Sequence, residues 1–204
     1  MPLEHGDLVK ILAACEKLGM EVQAHGYRNA QRLKTLILLL RYSGMRISDA
    51  VALTPDRLKG NKLFLYTAKT GTPVYTVLPD SIVEELEATP RVTAKFYFWT
   101  GQCKLETAVK SWQKKLRKLF DLAGILKGEG NAVAHRFRDT FAVELLLAGV
   151  PIERVLLGHQ SVRITEKHYN PWVRSRQEQL EADVRNAWTK DPLIIAGTKQ
   201  VQIQ

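Results

Sequence analysis

The chain has 204 residues, 45% of them hydrophobic, so it can bury one sizeable core and lies in the size range of a single domain. Thirty Lys and Arg residues against 21 Asp and Glu give a net charge of +9, which favours a polyanionic partner, with nucleic acid the first candidate. The spacing of Cys15 and Cys103 indicates neither a disulfide framework nor a zinc site. No apolar run approaches the roughly 20 residues of a bilayer span, so we expect a cytoplasmic protein with no membrane partner.

The N-terminal part of the chain predicts two helices. Apolar residues recur at helical spacing over residues 3–18, and Gly19 is expected to end that helix. A polar connector around Gly26 is expected to follow. The next apolar stripe, from about Asn29 to Tyr42, predicts the central core helix, with Gly44 as its C-terminal stop.

Arg46 stands where this core helix gives way to a short helical turn over Met45–Ala50, which Thr54-Pro55 is expected to end. A side chain at such a junction can be held rigidly and still face outward. The residues alone leave a plainer alternative open, in which Arg46 only pairs with Asp49.

Residues 57–78 change to the alternating period of strands and predict a three-stranded antiparallel meander, with turns at Gly60-Asn61 and Thr70-Gly71. Lys69 falls at the second turn, where its long stem can carry an ammonium group over a bound backbone. The alternative is an ordinary solvated turn lysine, and Lys62 lies nearby.

A helix is expected at residues 81–87, then the apolar segment Phe96–Trp99, and then a long helix from about Glu106 to Leu122. The long helix carries a set of basic residues around Trp112. These residues either track phosphates or form a solvated face over a buried Trp112, and the sequence leaves both readings open. The basic residues are Lys110, Lys114, Lys115, Arg117 and Lys118.

The stretch from His135 to Tyr169 concentrates residue types that phosphoryl transfer needs. His135 and Arg138 open an apolar helical run to about Leu147, His159 closes a second short helix, and Tyr169 comes ten residues later. Guanidinium and imidazole groups can clamp a phosphate, and a phenol can attack its phosphorus.

Two other uses of the histidines fit the sequence less well. A metal site would take His135, His159 and His168 as ligands, but the chain has no H-E-x-x-H and no recognisable carboxylate completes the set. A Ser-His-Asp hydrolase would need a G-x-S-x-G elbow, which the sequence lacks. A final helix is expected to about Trp188, followed by a tail.

In their joint order these residues resemble the tyrosine recombinase (phage integrase) family, whose pattern is a first arginine box, a hairpin lysine, His-x-x-Arg, Leu-Gly-His and a tyrosine. The box is YSGMRISDAVAL, in which the acidic position matching Asp49 supports the site. The resemblance runs from about Leu3 to Trp188 and implies a mainly helical α+β catalytic domain with a small three-stranded antiparallel sheet. It implies six catalytic residues: Arg46, Lys69, His135, Arg138, His159 and Tyr169.

The activity that the resemblance implies is cleavage and rejoining of double-stranded DNA through a 3′-phosphotyrosyl intermediate, in site-specific recombination or integration. One phosphodiester is exchanged for another ester, so no cofactor and no metal ion is expected. Two alternatives stay open: a type IB topoisomerase-like enzyme and a catalytically silent DNA-binding module.

The resemblance also implies an organisation and an assembly. We expect a catalytic domain over 1–189, a C-terminal tail over 190–204, and no separate core-binding domain ahead of it, as in an excised domain or a minimal family member. We further expect a homo-tetramer on DNA, a monomer without DNA, and a bacterial, phage or mobile-element origin.

Overall fold

The computed structural model describes residues 2–21, 24–125 and 133–150. Over these ranges the chain forms six α-helices and one three-stranded sheet, the mainly helical α+β architecture that the sequence predicts. The helices are α1 (His5–Glu21), α2 (Ala24–Ser43), α3 (Ile47–Val51), α4 (Asp80–Ala88), α5 (Leu105–Leu122) and α6 (Val133–Leu147). The strands are β1 (Leu58–Lys59), β2 (Lys62–Tyr66) and β3 (Pro73–Val77).

The described residues form two compact units, and the boundary between the units falls within α6. Residues 2–144 belong to the first unit, and 145–150 are the part of the second that the structure describes. In that short part, α6 ends in a turn where the Val150 N–H donates to the Leu145 carbonyl at 2.9 Å and Gly149 adopts a φ of 88°. The predictions for His159, Tyr169, the final helix and the tail lie outside the described residues.

Helix α2 is the core helix of the first unit, as predicted. Leu36, Ile37, Leu39 and Leu40 are fully buried and Leu38 is buried as well, so in this stretch apolar side chains face every side of the helix. A helical stretch that is apolar all round is buried in a core. Helices α1, α3 and α4 pack around it, and α5 packs on α1 and α3.

Two predicted boundaries near the N-terminus are wrong. Helix α1 continues through Gly19 to Glu21, and α2 begins at Ala24, so Gly26 lies in a helix and not in a polar connector. A glycine inside a helix costs only about 1 kcal/mol relative to alanine, and packing along the rest of two long helices outweighs that cost. Between these helices, only residues 22 and 23 remain.

The meander forms as predicted, with strand order β1-β2-β3 and antiparallel pairing throughout. Leu63, Leu65 and Val74 point into the core from one face, while Tyr66 and Tyr75 are exposed on the other. The alternation that predicted the strands therefore also sets which face is buried.

Helix α5 buries an apolar stripe and exposes three of its basic side chains. Trp112 is buried and its indole N–H donates to the Phe98 carbonyl at 3.1 Å, so Trp112 is a core residue. Lys110, Lys114 and Lys118 are exposed. Among the described helices, none combines the length and apolarity needed to cross a membrane.

Two contacts hold α6 in place within the first unit. The Phe137 ring meets Phe120 of α5 edge-on, with 5.9 Å between ring centroids, and Glu144 forms an ion pair with Arg41 of α2. Because α6 carries the His-x-x-Arg pair, these contacts set where that pair lies.

Candidate active site

The junction between α2 and α3 fixes the backbone of Arg46. Gly44 ends α2 with a φ of 62°, a left-handed conformation that suits glycine, as the sequence predicts. Arg46 follows in an extended conformation as the N-cap of α3, and its carbonyl accepts hydrogen bonds from the N–H groups of Asp49 and Ala50, each at 3.0 Å. Its side chain is half-buried at the point where one helix gives way to the next.

Arg138 reaches the same junction from α6. Its side chain is only 2% exposed, and its Nη1 donates to the Gly44 carbonyl at 2.7 Å. A buried guanidinium is stable only where its N–H groups find acceptors. The end of a helix supplies such carbonyls, so the stop at Gly44 both ends α2 and anchors Arg138.

Asp49 connects this junction to the hairpin. Its carboxylate is 6% exposed and accepts a hydrogen bond from the Ala68 N–H at 2.8 Å. Burial raises the pKa of Asp49 above its usual value, while the Ala68 hydrogen bond and the positive charges of Arg46 and Arg138 lower it. Asp49 therefore lies between the hairpin turn and the two arginines.

Of the two lysines near the hairpin, Lys69 is the one beside this anchor. Lys69 is exposed in the turn between β2 and β3 and directly follows Ala68. Lys62 begins β2 and pairs with Val77, at the opposite end of the strand pair. At about 3.3 Å per residue, four residues of strand separate that end from the turn by roughly 13 Å.

His135 lines a cleft with Arg46. It is exposed on the first turn of α6, and Ser48, Val109 and Gln113 line the same cleft. Arg46 thus lines this cleft with His135 and a small cavity with Arg138.

The neighbouring Arg136 lies elsewhere. Its Nη2 is 3.8 Å from the carboxylate of Asp7 in α1, so it contacts the N-terminal segment. The other two predicted site residues, His159 and Tyr169, lie outside the described residues. Over residues 2–21, 24–125 and 133–150, no three His, Cys, Asp or Glu side chains are grouped so as to hold a metal ion.

One site feature was missed from the sequence. Thr67 is 4% exposed and lines the small cavity with both arginines, and its hydroxyl lies 2.6 Å from that of Thr70. The signal that could have found it is the run of three threonines, at 67, 70 and 72, around the hairpin lysine. Hydroxyls spaced in this way can hydrogen-bond across a turn.

Asp49→Asn is expected to make the protein more stable than the wild type at neutral pH. The amide oxygen still accepts from Ala68, while the buried charge is removed. Since burial raises the pKa of Asp49 from its usual 3.8, its ionisation destabilises the fold, fully so above the raised pKa and not at all below the usual one. Urea denaturation of both proteins between about pH 4 and pH 7 should show the gap closing towards acid. Greater wild-type stability at neutral pH would contradict this expectation.

Solved structures with the same fold include the catalytic domain of a phage integrase and a transposon integrase. The catalytic domain of bacteriophage HP1 integrase matches with a TM-score of 0.60 and 21% identity, over 90% of this chain and 93% of that one. The Tn1549 transposon integrase, solved in complex with circular intermediate DNA, matches with a TM-score of 0.59 and 17% identity, over 88% of this chain and 67% of that one. The fold is therefore that of a tyrosine recombinase catalytic domain.

Sequence comparison gives the family. The sequence profile of the Phage integrase family matches residues 2–174, and the chain belongs to this family. Tyrosine recombinase XerC of Agrobacterium fabrum is 28% identical over 175 residues, which are 81% of this chain and 52% of that relative. The chain thus spans about half the length of the curated relatives it matches.

Proposed function

We propose that this chain cleaves and rejoins double-stranded DNA through a 3′-phosphotyrosyl intermediate, in site-specific recombination or integration. One observation carries the proposal: Arg138 and His135 of α6 lie beside Arg46 at the α2–α3 junction. Two guanidinium groups and an imidazole grouped around one helix junction are suited to clamp a phosphate. Membership in the Phage integrase family supports this use of the clamp.

The arginines perform most of the electrostatic work in this mechanism. Guanidinium groups on the non-bridging oxygens neutralise the charge that develops on the phosphate during attack. Their field also favours the phenolate of the attacking tyrosine, whose phenol has an unperturbed pKa of about 10. Tyr169 is the proposed nucleophile, and His159 donates a further hydrogen bond to the phosphate.

Proton transfer completes the exchange. Tyr169 bonds to phosphorus, the bond to the 5′ oxygen breaks, and that oxygen needs a proton. Lys69, exposed beside the Asp49 anchor, is the proposed donor of that proton. His135 assists removal of the tyrosine proton or holds the phosphate.

Helix α5 extends the proposed DNA surface beyond the cleft. Val109 and Gln113 line the same cleft as Arg46 and His135. Lys110 and Lys114 are their exposed neighbours on α5, so positive charge borders the place where the scissile phosphate would bind. Each lysine that contacts a phosphate adds to the salt dependence of binding without reading sequence.

On recombining sites we propose a homo-tetramer, with a monomer in the absence of DNA.

The proposal predicts covalent trapping on DNA in the presence of EDTA. In a nicked duplex, cleavage releases a short fragment that carries the new 5′-hydroxyl. Rejoining needs this hydroxyl, so its loss should make the protein accumulate as an adduct that survives SDS. Chelation should not reduce the yield, because Arg46 and Arg138 supply the positive charge at the phosphate. Adduct yield is measured on a panel of candidate DNA sites.

Two readouts separate the alternatives. A silent DNA-binding module would retard DNA on a gel and form no adduct on any site. A topoisomerase-like enzyme would form the adduct and relax supercoils without exchanging strands between two duplexes. Activity lost in EDTA and restored by magnesium would overturn the arginine-based mechanism.

A further inference from the structure

The geometry points to Thr67 as a positioning residue that holds Lys69 ready for proton transfer before DNA binds. The inference rests on the proposed function, because it assigns Thr67 a task through the proposed general acid. It concerns a residue at the end of β2 whose buried hydroxyl has no role in the clamp described above.

Three threonine hydroxyls form a continuous hydrogen-bonded chain across the hairpin turn. Thr67 Oγ1 lies 2.6 Å from Thr70 Oγ1, which lies 2.9 Å from Thr72 Oγ1. The Thr72 N–H also donates to Thr67 Oγ1 at 3.2 Å, so this one hydroxyl bonds to both later threonines. Lys69 lies between the residues that this network joins.

The backbone of the turn is closed by the same residues. The Thr67 N–H donates to the Thr72 carbonyl at 3.0 Å, and the Gly71 N–H donates to the Thr67 carbonyl at 2.9 Å. Gly71 has a φ of 63°, a conformation that glycine adopts without strain. Main-chain and side-chain hydrogen bonds thus fix both sides of Lys69.

This ordered turn is attached to the arginine cluster. Thr67 is 4% exposed and lines the small cavity with Arg46, Asp49 and Arg138. The next residue, Ala68, donates its N–H to Asp49 at 2.8 Å. The backbone that carries Lys69 is therefore held in a fixed relation to the residues that would bind the phosphate.

Such an arrangement matters because a lysine side chain is long and a hairpin turn is ordinarily mobile. A general acid works only when it lies within hydrogen-bond reach of the leaving oxygen. Ordering the turn in advance reduces the entropy lost when the transition state forms, and small displacements of a catalytic group cost large factors in rate. The threonine network provides that order on the lysine's own hairpin.

Single-turnover cleavage of nicked DNA tests the inference, with Thr67→Val and Thr67→Ser compared on two strands. One strand carries the normal 5′ oxygen and the other a bridging 5′ sulfur, whose thiolate leaves with little need for a proton. Thr67→Val should slow cleavage of the oxygen strand roughly 10-fold to 100-fold at unchanged DNA affinity. It should cleave the sulfur strand at close to the wild-type rate. Thr67→Ser keeps the hydroxyl, so it should cleave both strands at close to the wild-type rate.

Lys69→Ala identifies the route of the effect. If Thr67 acts through Lys69, the double variant Thr67→Val with Lys69→Ala should be no slower than Lys69→Ala alone. Amide hydrogen exchange should show faster exchange at Gly71 and Thr72 in Thr67→Val than in the wild type.

Thr89→Val is the matched control for loss of a buried threonine hydroxyl. Thr89 is 3% exposed and its hydroxyl donates to the Glu85 carbonyl at 2.7 Å, outside the hairpin. Thr89→Val should lower the stability of the protein. Any change in its cleavage rate should be the same on the oxygen strand and on the sulfur strand. The inference is wrong if Thr67→Val slows cleavage of both strands by the same factor while Lys69→Ala cleaves the sulfur strand at close to the wild-type rate. If Lys69→Ala is itself equally slow on both, the proposed role of Lys69 fails, and the positioning role fails with it.

Discussion

Tyr169→Phe is expected to eliminate the covalent protein–DNA adduct while leaving the affinity for DNA unchanged. The substitution removes only the oxygen that would attack phosphorus and keeps the ring. Adduct formation on the nicked duplex is measured by denaturing gel, and affinity by gel retardation at one fixed salt concentration, because binding through phosphates depends steeply on salt. The effect is complete because no residual group at position 169 can form the ester.

Tyr75→Phe provides the matched control for this variant. Tyr75 is 74% exposed on the outer face of the sheet, so loss of its hydroxyl should alter neither fold nor cleavage. If Tyr169→Phe still formed the adduct, the attacking residue would be another tyrosine. The tyrosines to test next are Tyr42, Tyr66, Tyr75 and Tyr97.

Arg138→Ala is expected to slow cleavage by about a hundredfold to a thousandfold, the range found when one preorganised donor to a developing charge is removed. Arg138 is buried and bonded to the Gly44 carbonyl, so its guanidinium is preorganised in the protein without DNA. Arg138→Lys keeps the charge and loses the planar fork, so it should recover only part of the rate. The measurement is single-turnover cleavage at saturating protein.

Arg136→Ala separates loss of the clamp from loss of a helix arginine in general. Arg136 lies two residues earlier on α6 and pairs with Asp7 at 3.8 Å. Its removal should affect packing of the N-terminal segment and leave the cleavage step near the wild-type rate. Thermal unfolding of both variants shows whether any loss of rate comes from unfolding. Equal rates for Arg138→Ala and the wild type would remove Arg138 from the mechanism.

Local chemistry was enough to predict much of the architecture. The apolar period of α2, the alternation over residues 57–78 and the stop at Gly44 depend on residues close together in the chain, so the sequence predicts them directly. Gly44 and Gly71, with φ of 62° and 63°, lie where the chain must adopt a left-handed conformation. The order of Arg46, Lys69 and the His-x-x-Arg pair likewise needs no structure to be read, and it indicated the family that sequence comparison shows.

What the sequence alone determined is therefore the elements of the described residues, their buried faces and the family, and it predicts which residues form the site. Only the tertiary structure decided which of those residues meet and what holds them. Arg138 bonds to Gly44 across 94 positions, and Asp49 bonds to Ala68 across 19. Neither spacing matches a helical or strand period, because these contacts exist only once α6 and the hairpin pack against the end of α2 and α3. Tertiary packing of many side chains likewise explains why α1 continues through Gly19, where local propensity predicted that the helix would end.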